Sequence, residues 1–296
     1  MSDLNSNQVD IYNLETQVEC TLLSSSVNSA GEKIYTFEWY IPKFILAEVN
    51  KHRALSGSTS SDRAIPTAKL IAEYAKNGWF KPLYFGKNKG GMSSHEELPT
   101  LNRVMSNFWW NCARVAAVFF AKRLGANNLH KQWTNRLLLP FIYCHHVTTG
   151  TDWENFLYLR DDADAVQPEF AILARKVKHA IESAQPRLLT EDPELASSWH
   201  FAYITPSERA LYVDNPQFLA RIDAARCARA SYAKQGERFN SHYKDMETFD
   251  KLTGSKLHAT PLEHACHSYP NKQDKNFRGF KQFRTLVESS RKDVYK

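Results

Sequence analysis

Glycine is scarce, eleven in 296 residues, and no G-x-G-x-x-G or G-x-x-x-x-G-K-[ST] occurs. A fingerprint dinucleotide site and a P-loop are therefore disfavoured, because each needs backbone that closely approaches a phosphate. There is no G-x-S-x-G elbow and no H-E-x-x-H, the usual carriers of serine-hydrolase and zinc-protease chemistry. Cysteine is sparse and odd in number: positions 20, 112, 144, 227 and 266, with no Cys-x-x-Cys. A disulfide framework or zinc ribbon is unsupported, and a reducing compartment fits. No apolar run approaches the ~20 residues of a membrane-spanning helix. Met1 to Asp10 lacks the basic-then-apolar pattern of a secretory signal. These absences point to a soluble protein of the cytoplasm.

Composition supplies a core: 43% hydrophobic and 24% charged residues. Disorder and collagen are excluded on that balance. The length suits one large domain or two intimate ones. Net charge is +6, unevenly spread. Residues 271–296 hold eight Lys/Arg against three Asp/Glu, leaving 30 against 29, or +1, elsewhere. Such a basic end either is solvated or meets phosphates.

The pattern predicts strands at Glu15–Ser24 and Lys33–Tyr40, around a turn at Asn28–Gly31. Pro42 suits the first position of a helix to about Lys51. Ser56–Asp62 reads as an ordered or ligand-ordered loop, since its hydroxyls compete for backbone groups. Pro66 opens a helix stopped at Asn77-Gly78. The longest helix should run Pro99–Leu124, with Leu101, Val104, Met105, Phe108, Cys112, Val115, Phe119 and Leu124 near the helical period. A short helix at Leu129–Leu139, a strand at Phe141–Thr148, and a helix from a Thr151–Glu154 capping box follow. Pro168 opens another helix. Arg187–Tyr203 is a connector, so residues 1–186 form an N-terminal region and 187–296 a C-terminal one, packed as one globular unit. Helices are expected at Pro216–Tyr232, Ser241–Leu252 and Phe277–Ser289, with an extended piece near Cys266–Tyr269. The fold class is α+β, mostly helical, without βαβ alternation.

His258, His264, Cys266 and His267 match no usual zinc spacing, and adjacent strand residues at Cys144-His145-His146 cannot all meet one ion, so no metal site is expected. The chemically rich stretch is Lys51-His52-Arg53-Ala-Leu-Ser56-Gly-Ser58-Thr59-Ser60-Ser61-Asp62-Arg63-Ala-Ile-Pro66. Guanidinium forks and short hydroxyls together suit phosphate. A helix end stabilised by cations and followed by a turn accounts for the same residues.

His52, Arg53, Ser56, Ser61 and Arg63, spaced His-Arg-x-x-Ser-x-x-x-x-Ser-x-Arg, resemble the signature of the flavin-dependent thymidylate synthases. Pro42-Lys-Phe-Ile-Leu-Ala-Glu before it and Ser-Ser-x-Arg-Ala-Ile-Pro within it are closer to the divergent members often carried by bacteriophages. His130-Lys-Gln-x-x-Asn135-Arg136 and Glu154-Asn155-Phe156-Leu157-x-Leu159-Arg160, then Gln167-Pro-Glu169, resemble further family segments. Ala225-Arg-Cys-Ala-Arg-Ala-Ser-Tyr232 and Thr260-Pro-Leu-Glu263-His264 resemble elements that ordinarily precede the signature, so the motif order looks circularly permuted.

The resemblance implies a thymidylate synthase-complementing-protein-like fold, helix-rich around a central mixed or antiparallel sheet. It implies FAD as cofactor, held by Lys51, His52, Arg53, Ser56 and Asn155. A pyrimidine deoxynucleotide monophosphate would be held by Ser61, Arg63 and Arg136, with Arg160 at its ring. Arg160 and His264 are the catalytic candidates. NADPH and methylenetetrahydrofolate would be co-substrates in converting dUMP to dTMP. A homotetramer with shared sites is implied, with no membrane and no stable nucleic-acid partner, working in the host cytoplasm if phage-encoded.

The departures are specific. Lys51 replaces an arginine and loses its fork. Ser58 and Thr59 stand where Asn and Glu are usual, and Asp164 where a histidine is usual. Hydroxymethylation of dUMP, or modification of dCMP for phage DNA, is the alternative that Thr59 motivates. A non-enzymatic single-strand binder, stacking bases on seven Trp and thirteen Tyr, ranks below both. No Pro-Cys dipeptide is present, against the cysteine-nucleophile class of thymidylate synthase.

Overall fold

The computed structural model describes residues 9–91, 94, 96–231 and 239–291. In chain order the elements begin with β1 (Glu19–Val27), β2 (Lys33–Pro42), α1 (Leu46–Val49), β3 (Ser56–Thr59), α2 (Thr67–Asn77) and α3 (Thr100–Ala126). Next come α4 (Lys131–Thr134), β4 (Tyr143–Gly150), α5 (Glu154–Arg160), α6 (Pro168–Ser183), β5 (Arg187–Leu188) and β6 (Trp199–His200). The chain continues through α7 (Pro206–Leu211), α8 (Pro216–Ala228), α9 (His242–Thr253), β7 (Cys266–Asp274), β8 (Phe277–Gln282) and α10 (Phe283–Ser290).

The main sheet has the order β3-β4-β2-β1-β5, antiparallel except for the β1/β5 pair. Its inner strand β2, Lys-Ile-Tyr-Thr-Phe-Glu-Trp-Tyr-Ile-Pro, is buried on both faces, and its β-branched and aromatic residues suit such a position. The β1/β2 turn works as its residues dictate. Asn28 Oδ1 accepts from the Ala30 and Glu32 amides, and Gly31 takes φ 79°. On one face Phe37, Trp39, Trp153, Phe156 and Phe170 pack edge-to-face and stacked, locking α5 and α6 to the sheet. Truncating Phe170 to Ala there would cost about 3–5 kcal/mol.

A second sheet, β6-β7-β8, is antiparallel and packs with α8, α9 and α10 around Trp199, Phe201, Phe249 and Phe283. Buried Arg226, on α8, ties it to α7 and α9, donating to Glu208, Asp245 and the Tyr203 carbonyl. Asp245 also pairs with Arg229. The two sheets meet through Ile34, Leu189, Cys266, Phe277 and Phe280. The β8 backbone joins them directly: Asn28 Nδ2 donates to the Gly279 carbonyl at 2.9 Å, and the Arg278 amide donates to Thr151 Oγ1 at 3.1 Å. No helix among the described residues is long and apolar enough to cross a membrane.

Mixed α+β architecture without βαβ alternation is what the sequence predicts, and α2, α6 and α9 fall close to their expected bounds. Several expectations are corrected. Phe277–Gln282 is a strand, not the start of a helix; α10 begins at Phe283. The reason is Gly279, at φ 80°, whose missing side chain lets β8 approach Glu32 and Asn28. Ser56–Thr59 is a strand rather than a loop, because β4 supplies its ladder. The Thr151–Glu154 capping box does not form. Trp153 is the N-cap of α5 without a side-chain bond, and the Thr151 hydroxyl is taken by β8. A capping box does form at Thr205/Glu208, opening α7, a helix the sequence reading passed over. Helix α8 stops at Ala228, and the expected Tyr232 lies outside the described residues, as do residues 292–296 of the basic end.

Candidate active site

The Lys51–Arg63 stretch runs along β3, an edge strand of the main sheet, and segments far away in sequence hold it. His52 follows α1. Its ring is buried edge-on against Phe156 and Phe170, with centroids at 5.1 and 6.2 Å. Arg160, at the end of α5, lies over Phe170 with its guanidinium carbon 4.7 Å from the ring centre. Its Nε donates to His52 Nε2 at 3.0 Å, and one Nη donates to Glu48 at 3.2 Å. Because arginine only donates, His52 Nε2 must accept, which makes the ring neutral with its proton on Nδ1. Burial and the neighbouring Arg160 charge both push the His52 pKa down.

Past His52 the hydroxyls turn inward. Ser56 is buried against Asn276, whose Nδ2 donates to Ser56 Oγ and to the Ala54 carbonyl, both at 3.1 Å. Gln282 Nε2 orients Asn276 at 2.8 Å. Ser58 Oγ lies 3.0 Å from His264 Nε2, and His264 Nδ1 lies 2.8 Å from Thr149 Oγ1. The chain of contacts continues from Thr149 to Thr36 at 2.7 Å, to His200 Nε2 at 2.8 Å, and from His200 Nδ1 to Ser26 at 2.9 Å. Both His264 and His200 are fully buried. Burial pushes His264 down to about 3 and His200 well below the ordinary imidazole range, so both are neutral. Thr59 Oγ1 contacts His146 Nδ1 at 2.6 Å. His146 in turn stacks on Trp39 and sits where a side chain on Gly57 would go.

The exit of the stretch is fastened from another side. Asn135 Nδ2 donates to the carbonyls of Asp62 at 2.7 Å and Ile65 at 2.9 Å, and Lys131 Nζ reaches the Ala64 carbonyl at 3.0 Å. Lys43 pairs with Asp62 at 3.2 Å. The segments carrying Arg63 and Arg136 are therefore joined, although both guanidiniums are exposed. Arg136 lies over Trp133 at 6.0 Å. Lys51, Arg53, Arg63 and Arg136 make no ion pair among the described residues. Asn155 is exposed on α5.

Two concavities flank β3. A cavity of about 390 Å³, bounded by β2, β4 and α2, is lined by Ser61, Asp62, Tyr40, Tyr143, His145 and Lys69. Its size suits a small ligand. Across the strand a groove of about 700 Å³ presents Ser58, Thr59, Arg63, Lys251 and His258. Ser61 and Arg63, two residues apart, thus line different hollows. The structure brings together His52 with Arg160, and Ser58 with His264. The cationic side chains of Lys51, Arg53, Arg63 and Arg136 stay at the surface.

Glu48, Asn276, Thr149 and His200 were not picked out from sequence. Glu48 carried a signal, four residues before His52 at the end of a short helix. The others lie on distant strands or turns and carried none. No group of three or more metal-ligating side chains occurs among the described residues. Burial raises the thiols of Cys20 and Cys144 to about 12 and that of Cys266 further, so these three are not activated nucleophiles.

No family model and no curated protein matches the chain. Among solved structures the chain is similar to the UMP/dUMP methylase PolB from Streptomyces cacaoi. With 5-Br dUMP bound, that protein aligns at a TM-score of 0.42 and 15% identity, over 57% of this chain and 91% of its own. With 5-Br UMP bound the values are 0.43, 17%, 57% and 90%.

Proposed function

We propose that the chain is a flavin-dependent enzyme that adds one carbon at C5 of a pyrimidine nucleotide monophosphate. The reaction is dUMP to dTMP, with methylenetetrahydrofolate as carbon donor and NADPH as reductant. The observation that carries this reading is convergence on one strand. His264, from a Leu-Glu-His element 206 positions later, meets Ser58, while Arg160 meets His52 and the Asn135-Arg136 segment fastens the Asp62–Ile65 turn. Four separate sequence segments that resemble one family are neighbours in space. The permuted motif order is part of the proposal, since a late Glu263-His264 beside an early signature is what a permuted chain needs.

The residues present fit a flavin nucleotide. Lys51 and Arg53 are exposed cations without an ion pair among the described residues, suited to a diphosphate. His52 offers a neutral ring edge and Asn155 an exposed amide. FAD, when bound, would supply the hydride.

The chain's own work is binding and electrostatics. Arg63 and Arg136, without an ion pair among the described residues, are guanidiniums for a phosphate of about two negative charges, with the Ser61 hydroxyl as a neutral donor. Arg160 is held at two of its nitrogens by His52 and Glu48, which fixes the guanidinium before any ligand arrives. Its remaining Nη would donate to a ring carbonyl of the pyrimidine as charge develops there. A donor oriented in advance loses little in reorganising. Sites shared among subunits of a homotetramer complete the reading, because Ser61 and Arg63 line separate hollows in one chain.

The test is mass spectrometry of nucleotides after incubation with FAD, NADPH, methylenetetrahydrofolate and equal dUMP and dCMP. A methyl gain on dUMP supports the reading. A hydroxymethyl gain, or any gain on dCMP, replaces it with base hypermodification, which the inward-turned Ser58 and Thr59 favour. No change and no bound flavin would refute both.

A further inference from the structure

The cavity of about 390 Å³ bounded by β2, β4 and α2 holds an imidazole that buried groups orient. His145 lies on β4, opposite Tyr40 of β2. Its Nδ1 is 2.9 Å from one oxygen of Glu38, and the other Glu38 oxygen accepts from the Tyr203 hydroxyl at 2.7 Å. Glu38 is only 4% exposed. Tyr40 packs against both Tyr143 and His145, with ring centres 4.9 and 5.0 Å away, which steadies the plane of the imidazole. A carboxylate only accepts, so the proton sits on Nδ1, and in the neutral ring Nε2 is a pure acceptor. That nitrogen makes no hydrogen bond among the described residues. The His145 side chain is 25% exposed. With Nδ1 held against a buried carboxylate, the open edge is the one that carries Nε2. Ser60 is the neighbour on the other side, its amide donating to the His145 carbonyl at 3.0 Å. The Ser60 and Ser61 hydroxyls make no hydrogen bond among the described residues either. Asp62, also in the lining, is paired with Lys43 at 3.2 Å.

We infer that His145 is the residue that selects uracil over cytosine, by accepting from the ring N3–H. This rests on the pyrimidine-nucleotide reading above and adds the choice of base. Uracil carries a donor at N3 between two carbonyls, whereas cytosine carries a lone pair there. Cytosine would oppose that lone pair to Nε2 and leave two desolvated acceptors without a proton between them. A site built to bond a substrate N–H rejects the analogue that lacks it far more strongly than an apolar pocket rejects a misfit. The Ser60 hydroxyl, beside His145, is the donor for a flanking carbonyl. Glu38 and Tyr203 are outside the cavity lining and act as positioning residues, because they fix which nitrogen is the acceptor. Arg160 is outside the lining as well, so its guanidinium reaches the ring from another subunit, as shared sites require.

Calorimetric titration of the full chain with FAD present tests it, at ~pH 8.5, about two units above the ordinary imidazole value. In the wild type, dUMP should bind at least roughly thirtyfold more tightly than dCMP. dUMP methylated at N3 should bind no better than dCMP, a comparison that needs no variant. Glu38→Gln gives a second measurement. Its amide nitrogen donates to Nδ1 and moves the ring proton to Nε2, so dUMP should weaken and dCMP strengthen, whereas a purely structural loss would weaken both. Equal wild-type affinities for dUMP and dCMP, undiminished binding of the N3-methyl nucleotide, or an unchanged ratio in folded Glu38→Gln would overturn the inference and leave the nucleotide reading standing. Binding of neither dUMP nor dCMP would overturn both.

Discussion

Acidification from pH 7.5 to 5 should destabilise this protein through its buried histidines. His146 and His264 are each held at about 3, against an ordinary 6.5, by burial. His200 is lowered well below the same value by the same cause. Each ring stays neutral in the folded state at pH 5 but is charged once unfolded. Their folded pKa lies below the unfolded one, so the stability that rests on neutral rings is complete above 6.5 and is lost as pH falls towards 3. An unfolded histidine is almost fully protonated at pH 5, which costs about 2 kcal/mol per residue relative to pH 7.5. His146 and His264 together account for about 4 kcal/mol, and His200 adds in the same direction. Asp223 opposes them. Burial raises its carboxyl to about 6, so the native state takes that proton first and gains about 1 kcal/mol by pH 5. The net loss of about 3 kcal/mol or more is a large part of a typical 5–15 kcal/mol total. Urea midpoints by tryptophan fluorescence, taken at several pH values, measure it directly. His264→Asn, which keeps hydrogen-bonding capacity towards Ser58 and Thr149, should flatten the slope by about one proton. A midpoint constant from pH 7.5 to 5 would refute the argument.

Arg63→Ala should weaken dUMP binding by about 2 kcal/mol, roughly thirtyfold, with no change in thermal stability; calorimetric titration reads the first and thermal melting the second. Arg160→Ala should abolish turnover while flavin absorbance is retained, and full activity would remove Arg160 from the pyrimidine ring. Gly57→Ala places a Cβ 2.5 Å from His146 Cε1. That ring is held between Trp39 and Thr59, so a loss of about 1–3 kcal/mol is expected in denaturant unfolding.

The sequence made local punctuation legible. Pro66 with Gly78 bracketed α2, Pro168 opened α6, and the aromatic run from Ile34 to Trp39 marked the inner strand. Features that depend on distant partners were not legible. Ser56–Thr59 looked like a loop because its hydroxyls seemed to compete for nearby backbone, whereas Asn276, His264 and His146 engage them. Phe277–Gln282 reads as the start of a helix, whereas its ladder with β7 and its close approach to the Asn28–Glu32 turn make it a strand. The apolar period of α3 was visible, but period alone does not say which stripe a protein buries within itself: Trp110, Ala117, Val118 and Ala121 pack into the core, while Leu101, Met105, Phe108, Cys112, Val115 and Phe119 are exposed. At the site, the residue types were readable from motif spacing. The pairing of His52 with Arg160 and of Ser58 with His264 required coordinates.

The bonds that clamp the signature strand have a consequence for the order in which the molecule is assembled. Ser58 waits for a partner 206 positions later, and Ser56 for one 220 positions later. Contacts of such span close very large loops and form late in folding. On the ribosome, the signature strand emerges early and cannot be fastened until Asn276 has left the exit tunnel. The proposed catalytic strand is thus among the first segments made and among the last to acquire its shape, and a chain interrupted before its C-terminal hairpin would lack an ordered site.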